Sequence, residues 1–401
     1  MHSHLGDSHN FGRRVTLAET RIAKPRTLLW EWLLLAAESP LRKLLGGLAG
    51  REHDGLGSDP FGFLPDLEFS SPFAPGGGKV DRIALEPLPT PASARAKSDL
   101  AGIVGRALAL FSWLGLADLH WENLVLGVSD RDRVVFAPLD VEMILADLSL
   151  PTETKLLPDA DPEVCAVCRH ACGVRRVLPY LGKPVEARHL VTMAAAYRRM
   201  LAFLDRHAGA IADVFVHLPQ LRETPIRVLL RGTDEYVRAR TEGARRLWPP
   251  LLEAEAEQLA RGDIPYFFRL YGRAGIHYYG DESLTVRARL PLRGDVPQLG
   301  PILPLSRGLR SPGRRKLREE GLFTVLGAFD HPSMTGRHEA GDLAVTFAPR
   351  TLVVSLGSGE ELETRRKMSA FVASVYLPCR CGEVRAVFVP SVTVCDALEV
   401  R

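Results

Sequence analysis

Asp118-Leu119-His120-Trp121-Glu122-Asn123 closes a helix-like run, and a short stretch beyond it leads to Leu139-Asp140-Val141-Glu142. An Asp five positions before an Asn, with a second Asp beyond a strand, is a spacing suited to phosphate transfer to a hydroxyl. In that arrangement the first carboxylate, Asp118, would take the hydroxyl proton, and the amide oxygen of Asn123 and the carboxylate of Asp140 would share a metal ion. His120 lies between them, placed either to orient Asp118 or to touch the transferred phosphate, and equally readable as a packed loop residue.

The surrounding pattern supports that order. Leu100, Ile103, Val104, Ala107, Leu108, Phe111 and Leu114 form one apolar stripe, which predicts a helix from Ser98 that Gly115 stops. Leu124-Val125-Leu126 and Val134-Val135-Phe136 predict short strands around the turn Ser129–Asp132, with Asp140 just past the second. Upstream, residues 5–13 read as a turn. Arg14–Leu17 and Thr20–Lys24 read as two strands pairing across Ala18-Glu19, ended by Pro25. Residues 27–48 look helical, residues 50–80 read as a Gly- and Pro-rich loop, and Arg82–Leu88 as a further strand. Residues 185–262 are expected to be mostly helical. Residues 320–401 are expected to be β-rich, with strands at Phe323–Leu326, Leu343–Phe347, Leu352–Ser355 and Val384–Val389.

Bulk properties narrow the class. A chain of 401 residues has room for two or three folding units, and 46% hydrophobic with 25% charged residues is ordinary for a water-soluble protein. A net charge of +3 asks for neither nucleic acid nor a membrane surface, and the apolar run Leu28–Ala37 is interrupted by Glu31 and too short to span a bilayer. The polar N-terminal segment has no apolar signal core, so a cytoplasmic location with reduced cysteines is expected. Cys165, Cys168 and Cys172, with His170 among them, have the spacing of half a structural zinc site, but a second knuckle at a usual spacing is missing.

Three further clusters carry chemistry. Lys24 ends a strand in Ala23-Lys24-Pro25-Arg26, where a lysine grips phosphates or simply solvates the strand end. Asp7 and His9 lie in the polar turn Gly6-Asp7-Ser8-His9-Asn10-Phe11-Gly12-Arg13, an acid–base pair next to a glycine that permits close backbone approach. Arg227 and Thr233 stand six apart around Gly232, a pattern that alone describes a surface helix ending in a cap.

Taken in order, these segments resemble the dehydratase domain of class II lanthionine synthetases, the LanM type. That pattern runs as the Gly-Asp-x-His-x-x-Gly-Arg turn at Gly6–Arg13, Lys24-Pro25-Arg26, Asp118–Asn123, Asp140-Val141-Glu142, the Arg227 and Thr233 stretch with Tyr236, and Gly262–Phe267. The resemblance implies an α+β fold with a two-lobed core like that of protein and lipid kinases: an N-lobe-like region at 1–92, a helical C-lobe at 93–275, and a β-rich tail at 276–401. It implies ATP and Mg2+ as cofactors and a ribosomal precursor peptide as partner. Lys24, Asp118, His120, Asn123 and Asp140 would phosphorylate a Ser or Thr. Asp7, His9, Arg227 and Thr233 would then eliminate phosphate to leave dehydroalanine or dehydrobutyrine. Only five residues precede Gly6, and nothing matches the family's cyclase with its Cys-Cys-His zinc site, so a separate cyclase is the expected partner for ring closure. A kinase-like phosphotransferase without elimination, and a non-catalytic binding partner, are the alternatives.

Overall fold

The computed structural model describes residues 3–52, 56, 59–90, 92–146, 148, 150–157, 172–182, 184–243, 251–271, 275–287 and 312–365. It is an α+β protein whose first layer is a five-stranded antiparallel sheet in the order β1-β2-β3-β5-β4. The hairpin of β2 (Arg13–Leu17) and β3 (Arg21–Lys24) pairs Thr16 with Ala23 and Leu17 with Ile22, as their alternation predicts. The segment expected to be a turn is largely a strand, β1 (Ser3–His9), and the turn proper is confined to Asn10, Phe11 and Gly12 at φ 48°, 71° and 76°. Its polar composition hides it from pattern reading, because β1 is held by backbone pairing with β2.

The helix expected over 27–48 is two helices, α1 (Leu29–Leu35) and α2 (Pro40–Ala49). Ser39 is extended ahead of Pro40, and its Oγ accepts from Arg42 N–H at 3.1 Å, so the second helix starts on its own cap. Residues 50–80 are more than loop. They supply β4 (Phe69–Ser70), β5 (Gly78–Asp81) and the buried side chains Phe61, Phe63 and Leu64. Arg82–Leu88 is not the expected strand: that strand is formed earlier, as β5, and within 82–88 Glu86 makes an isolated bridge to Val128.

The second layer is helical. α3 (Ala94–Trp113) begins four residues before the expected start at Ser98 because Ser93 caps it, and Gly115 at φ +67° follows its end. β6 (Leu124–Val128) and β7 (Val134–Pro138) form the expected hairpin. After α4 (Leu178–Leu181) comes α5 (Ala187–Arg206), packed along α3, and then α6 (Ala208–Val216). α3 and α5 meet without room for a side chain at Gly105, where an added Cβ would stand 2.1 Å from the Met193 carbonyl oxygen. Gly105→Ala is therefore expected to destabilise the fold by about 2–3 kcal/mol through overpacking, seen as a lowered Tm, whereas Gly209→Ala, with open space around it, should not.

The described residues of 185–262 are mostly helical, and among them β8 (Pro225–Val228) pairs with β9 (Phe267–Leu270). Between these strands lie α7 (Thr233–Glu242) and α8 (Glu253–Ala260), and β10 (Tyr278–Tyr279) and β11 (Val286–Arg287) follow β9. Phe323–Leu326, expected as a strand, lies inside the helix α9 (Pro312–Phe329): a short apolar run does not by itself distinguish the two. The expected strands at 343–347 and 352–355 are β13 (Leu343–Phe347) and β14 (Thr351–Leu356). They sit in a four-stranded meander with β12 (Gly336–Ala340) and β15 (Glu361–Arg365). Leu343, Val345, Phe347, Leu352 and Val354 belong to the same hydrophobic core as α3 and α5. Val384–Val389 lies outside the described residues. No helix among the described residues is long and apolar enough to cross a membrane.

Candidate functional site

Lys24, the last residue of β3, is 9% exposed. The Gly-rich run beside it has a physical reason: Gly77 sits at φ +136°, and a Cβ there would meet the Lys24 carbonyl oxygen at 2.7 Å. The Lys24 ammonium donates to the Leu139 carbonyl at 2.8 Å, to Glu31 Oε1 at 3.3 Å and to Asp140 Oδ1 at 3.4 Å. Glu31, the residue that interrupts the apolar run of α1, is 2% exposed and thus a buried partner of this amine. Asp140 arrives from the other side, two residues beyond β7.

Arg26 ties the cluster together. Its Nη2 pairs with both Asp140 Oδ1 and Glu31 Oε1, its Nη1 donates to Glu31 Oε2 at 3.1 Å, and its Nε lies 2.6 Å from Glu142 Oε1. Glu142 in turn holds Arg227, with Nη1 to Oε2 at 3.1 Å, and the Glu142 carbonyl accepts from the Arg227 N–H at 2.8 Å. Three cations and three carboxylates thus alternate in one network. Such a network is costly to desolvate, and loss of its deeply buried member Glu31 would leave an uncompensated buried charge, so the geometry around it is held firmly. Burial pushes the Asp140 carboxyl up, yet Arg26, then Lys24 and Arg227, hold it well below the usual carboxylate range.

The Asp118 loop borders this network. Asp118 has φ +63°, and the Asn123 amide donates to its carbonyl at 2.9 Å and to Oδ2 at 3.3 Å. The amide oxygen of Asn123 is therefore the end turned away from Asp118. The Asn123 carbonyl accepts from Leu139 N–H at 2.8 Å, which ties the loop to the residue before Asp140. His120 accepts at Nδ1 from the Glu122 N–H at 3.3 Å, so its neutral ring carries its proton on Nε2, 3.9 Å from Asp118 Oδ1. Asp118 also raises the pKa of Arg227 through its charge, after Glu142, Tyr266 and Asp140.

His9, at the end of β1, sits on the Gly262–Ile264 segment. The Ile264 N–H donates to the Ser8 carbonyl at 2.9 Å, Ser8 Oγ donates to the Gly262 carbonyl at 3.1 Å, and Asp263, fully buried, accepts from the N–H groups of Phe11 at 2.7 Å and Gly12 at 2.9 Å. That carboxylate holds three consecutive left-handed residues in place. His9 Nδ1 bonds the Ile264 carbonyl at 2.8 Å; a carbonyl only accepts, so Nδ1 carries the proton and neutral His9 presents a bare Nε2. Burial, then the charge of Arg227, depresses the His9 pKa below 6.5 against the opposing pull of Glu142 and Asp7. Tyr266 joins the two residues: its ring lies 5.8 Å from the His9 ring and 5.4 Å from the Arg227 guanidinium carbon. Arg227 Nε is buried with no hydrogen-bond partner among the described residues.

The expected site residues are thus placed unequally. Lys24, Asp140, Arg227 and His9 are linked through Arg26, Glu142 and Tyr266, and Asp118, His120 and Asn123 stand at the edge of that cluster. Arg227 lies on a strand, not on the surface helix its sequence alone suggests. Asp7 is exposed and reaches His9 through its charge. Thr233 opens α7, half-buried, and among the described contacts none ties it to the cluster. Tyr236 bonds Glu255, which also holds Arg231, and so anchors α7 to α8. Of the cysteine group, Cys172 is half-buried with its thiol pushed up to about 12 by burial, while Cys165 and Cys168 lie outside the described residues.

Among the described residues no three His, Cys, Asp or Glu side chains converge on a ready-made metal site. A magnesium ion that arrives with nucleotide needs only one or two protein oxygens. The Asp140 carboxylate and the outward amide oxygen of Asn123 are hard donors of the right kind, so the residues present fit that ion. No family model matches this chain, and no curated protein matches it significantly.

Proposed function

We propose that the chain is a lanthipeptide-type dehydratase on a kinase-like core, which phosphorylates Ser or Thr of a precursor peptide with ATP and then eliminates the phosphate. The observation that carries this reading is the continuity of the ion network. Lys24 meets Glu31 and Asp140 at one end, and Glu142 delivers Arg227 beside His9 at the other. One connected network thereby supports two successive reactions on one side chain.

In the first, Asp118 accepts the proton of the substrate hydroxyl, whose oxygen forms a bond to the γ-phosphorus as the bond to the ADP oxygen breaks. Lys24 grips the phosphates, and magnesium held by Asp140 and Asn123 would neutralise their charge. In the second, the bare Nε2 of His9 takes the α-proton of the phosphorylated residue. The freed electron pair forms the Cα=Cβ bond, and the Cβ–O bond breaks to release phosphate, which Arg227 pairs with through its fork of donors. The experiment is incubation with a precursor peptide, ATP and magnesium, followed by mass measurement of the peptide. Loss of water from Ser or Thr is expected. A stable gain of phosphate would reduce the reading to a kinase, and an unchanged peptide with no nucleotide binding would remove it.

A further inference from the structure

Away from Asp140, two arginines have no carboxylate partner among the described residues. Arg175 and Arg176 end the 3-10 turn Gly173–Arg176, and their guanidinium carbons stand 5.9 and 5.1 Å from the centre of the Trp121 ring, in the middle of the Asp118–Asn123 loop. Both are half-buried, and among the described residues neither guanidinium is paired with an acidic side chain.

Their position is fixed by the loop itself. Arg176 Nε donates to the Trp121 carbonyl at 2.6 Å, His120 bridges Cys172 through the backbone, and Val174 N–H donates to the Leu156 carbonyl at 2.9 Å. Gly173 packs so closely that a Cβ would meet Leu124 Cδ1 at 2.3 Å and the Leu119 carbonyl oxygen at 2.5 Å. The turn therefore cannot drift from the loop. An arginine stacked on an indole keeps the outer edge of its fork for a planar anion, with its charge undiminished. Arg26 pairs with Glu31, Asp140 and Glu142, and Arg227 with Glu142, so the pair at Trp121 is a separate cationic feature on a different element.

We propose that Arg175 and Arg176 receive acidic side chains of the peptide substrate, next to the hydroxyl residue presented to Asp118. This rests on the dehydratase reading and adds a substrate class to it: peptides with Asp or Glu close to the modified Ser or Thr. Two cations stacked on Trp121, three residues after the candidate base, would hold the peptide in register by its neighbours, since the reacting hydroxyl offers little to grip.

The test uses two fluorescein-labelled synthetic peptides, each with one central Ser, flanked by Glu in one and by Gln in the other. Anisotropy at low salt should show the full chain binding the Glu peptide about tenfold more tightly, equivalent to about 1.4 kcal/mol. In the double variant Arg175→Gln, Arg176→Gln that preference should fall to within about twofold, with binding of the Gln peptide unaltered. Equal affinities in the unsubstituted protein, a preference that survives the double substitution, or no binding of either peptide would each overturn the proposal. Calorimetry with Mg-ADP separates the two readings. Nucleotide binding without an acidic preference removes the docking site alone, and an acidic preference without nucleotide binding removes the dehydratase reading instead.

Discussion

Asp140→Asn is expected to lower phosphate transfer to the peptide by about a thousandfold, within the range seen when a group that stabilises developing charge is removed. The variant keeps the shape of the side chain and an oxygen that can accept from Lys24 and Arg26, the two cations on Oδ1. What it loses is the charge. Lys24 then has Glu31 as its remaining carboxylate, so the amine is drawn toward α1 and away from the position where phosphates would lie. The side chain of Asp140 is 35% exposed, so solvent screens much of the change and the Tm should move little. This separates lost chemistry from lost fold: mass measurement should show unmodified peptide from a protein that still melts cooperatively. A variant that phosphorylates at the unsubstituted rate would refute the role of Asp140.

The pH behaviour of this group follows from its neighbours. Burial favours the neutral acid, but Arg26, Lys24 and Arg227 together hold the carboxyl below its ordinary value. Its contribution to stability is therefore complete above the unfolded pKa of about 3.9 and lost only as pH falls through the depressed folded value. Loss of activity between pH 5 and 7 must then come from another group.

The residues legible in the sequence are those whose meaning is local. Asp118 and Asn123 are five apart in one loop, and Asp140 follows a strand whose apolar run is plain, so order and spacing suffice to place them near one another. The α3 stripe and the β2–β3 alternation are likewise local periodicities. What stayed hidden depends on partners far along the chain. Glu31 looks like an interruption in an apolar helix and is the buried carboxylate of Lys24. Arg26 and Glu142 sit in recognisable motifs, but that they join Asp140 to Arg227 emerges only when residues 85 or more positions apart meet. Arg227 reads as helical because its strand pairs with β9, some forty residues later, and nothing in Pro225–Val228 announces that partner. Asp263 gives no sign that it caps the turn at Phe11 and Gly12 from across the molecule. Polar β1 defeats a reading based on hydrophobic alternation for the same reason: its pairing is made by backbone groups that every sequence possesses.

His9→Asn is expected to accumulate phosphorylated peptide, with elimination slowed by about 10²–10⁴-fold, the usual contribution of a positioned general base, while the first step continues. Two features of His9 make it that base. Its Nδ1–H is committed to the Ile264 carbonyl, which leaves Nε2 bare, and burial followed by the charge of Arg227 keeps the ring neutral. Because the pKa lies below its ordinary 6.5, elimination should hold its rate as pH falls to that value and decline only beneath it. Arg227→Met should also accumulate phosphopeptide, since the departing phosphate loses its partner. It should do something further that a structural defect would not. Removing the cation that depresses His9 lets the imidazole pKa rise, so the acid limb of the remaining elimination activity moves to higher pH. The measurement is the ratio of phosphorylated to dehydrated peptide, followed by mass across pH 5–8. If His9→Asn blocks phosphorylation as completely as Asp140→Asn, or if the acid limb in Arg227→Met stays where it was, the division of labour along the ion network is wrong.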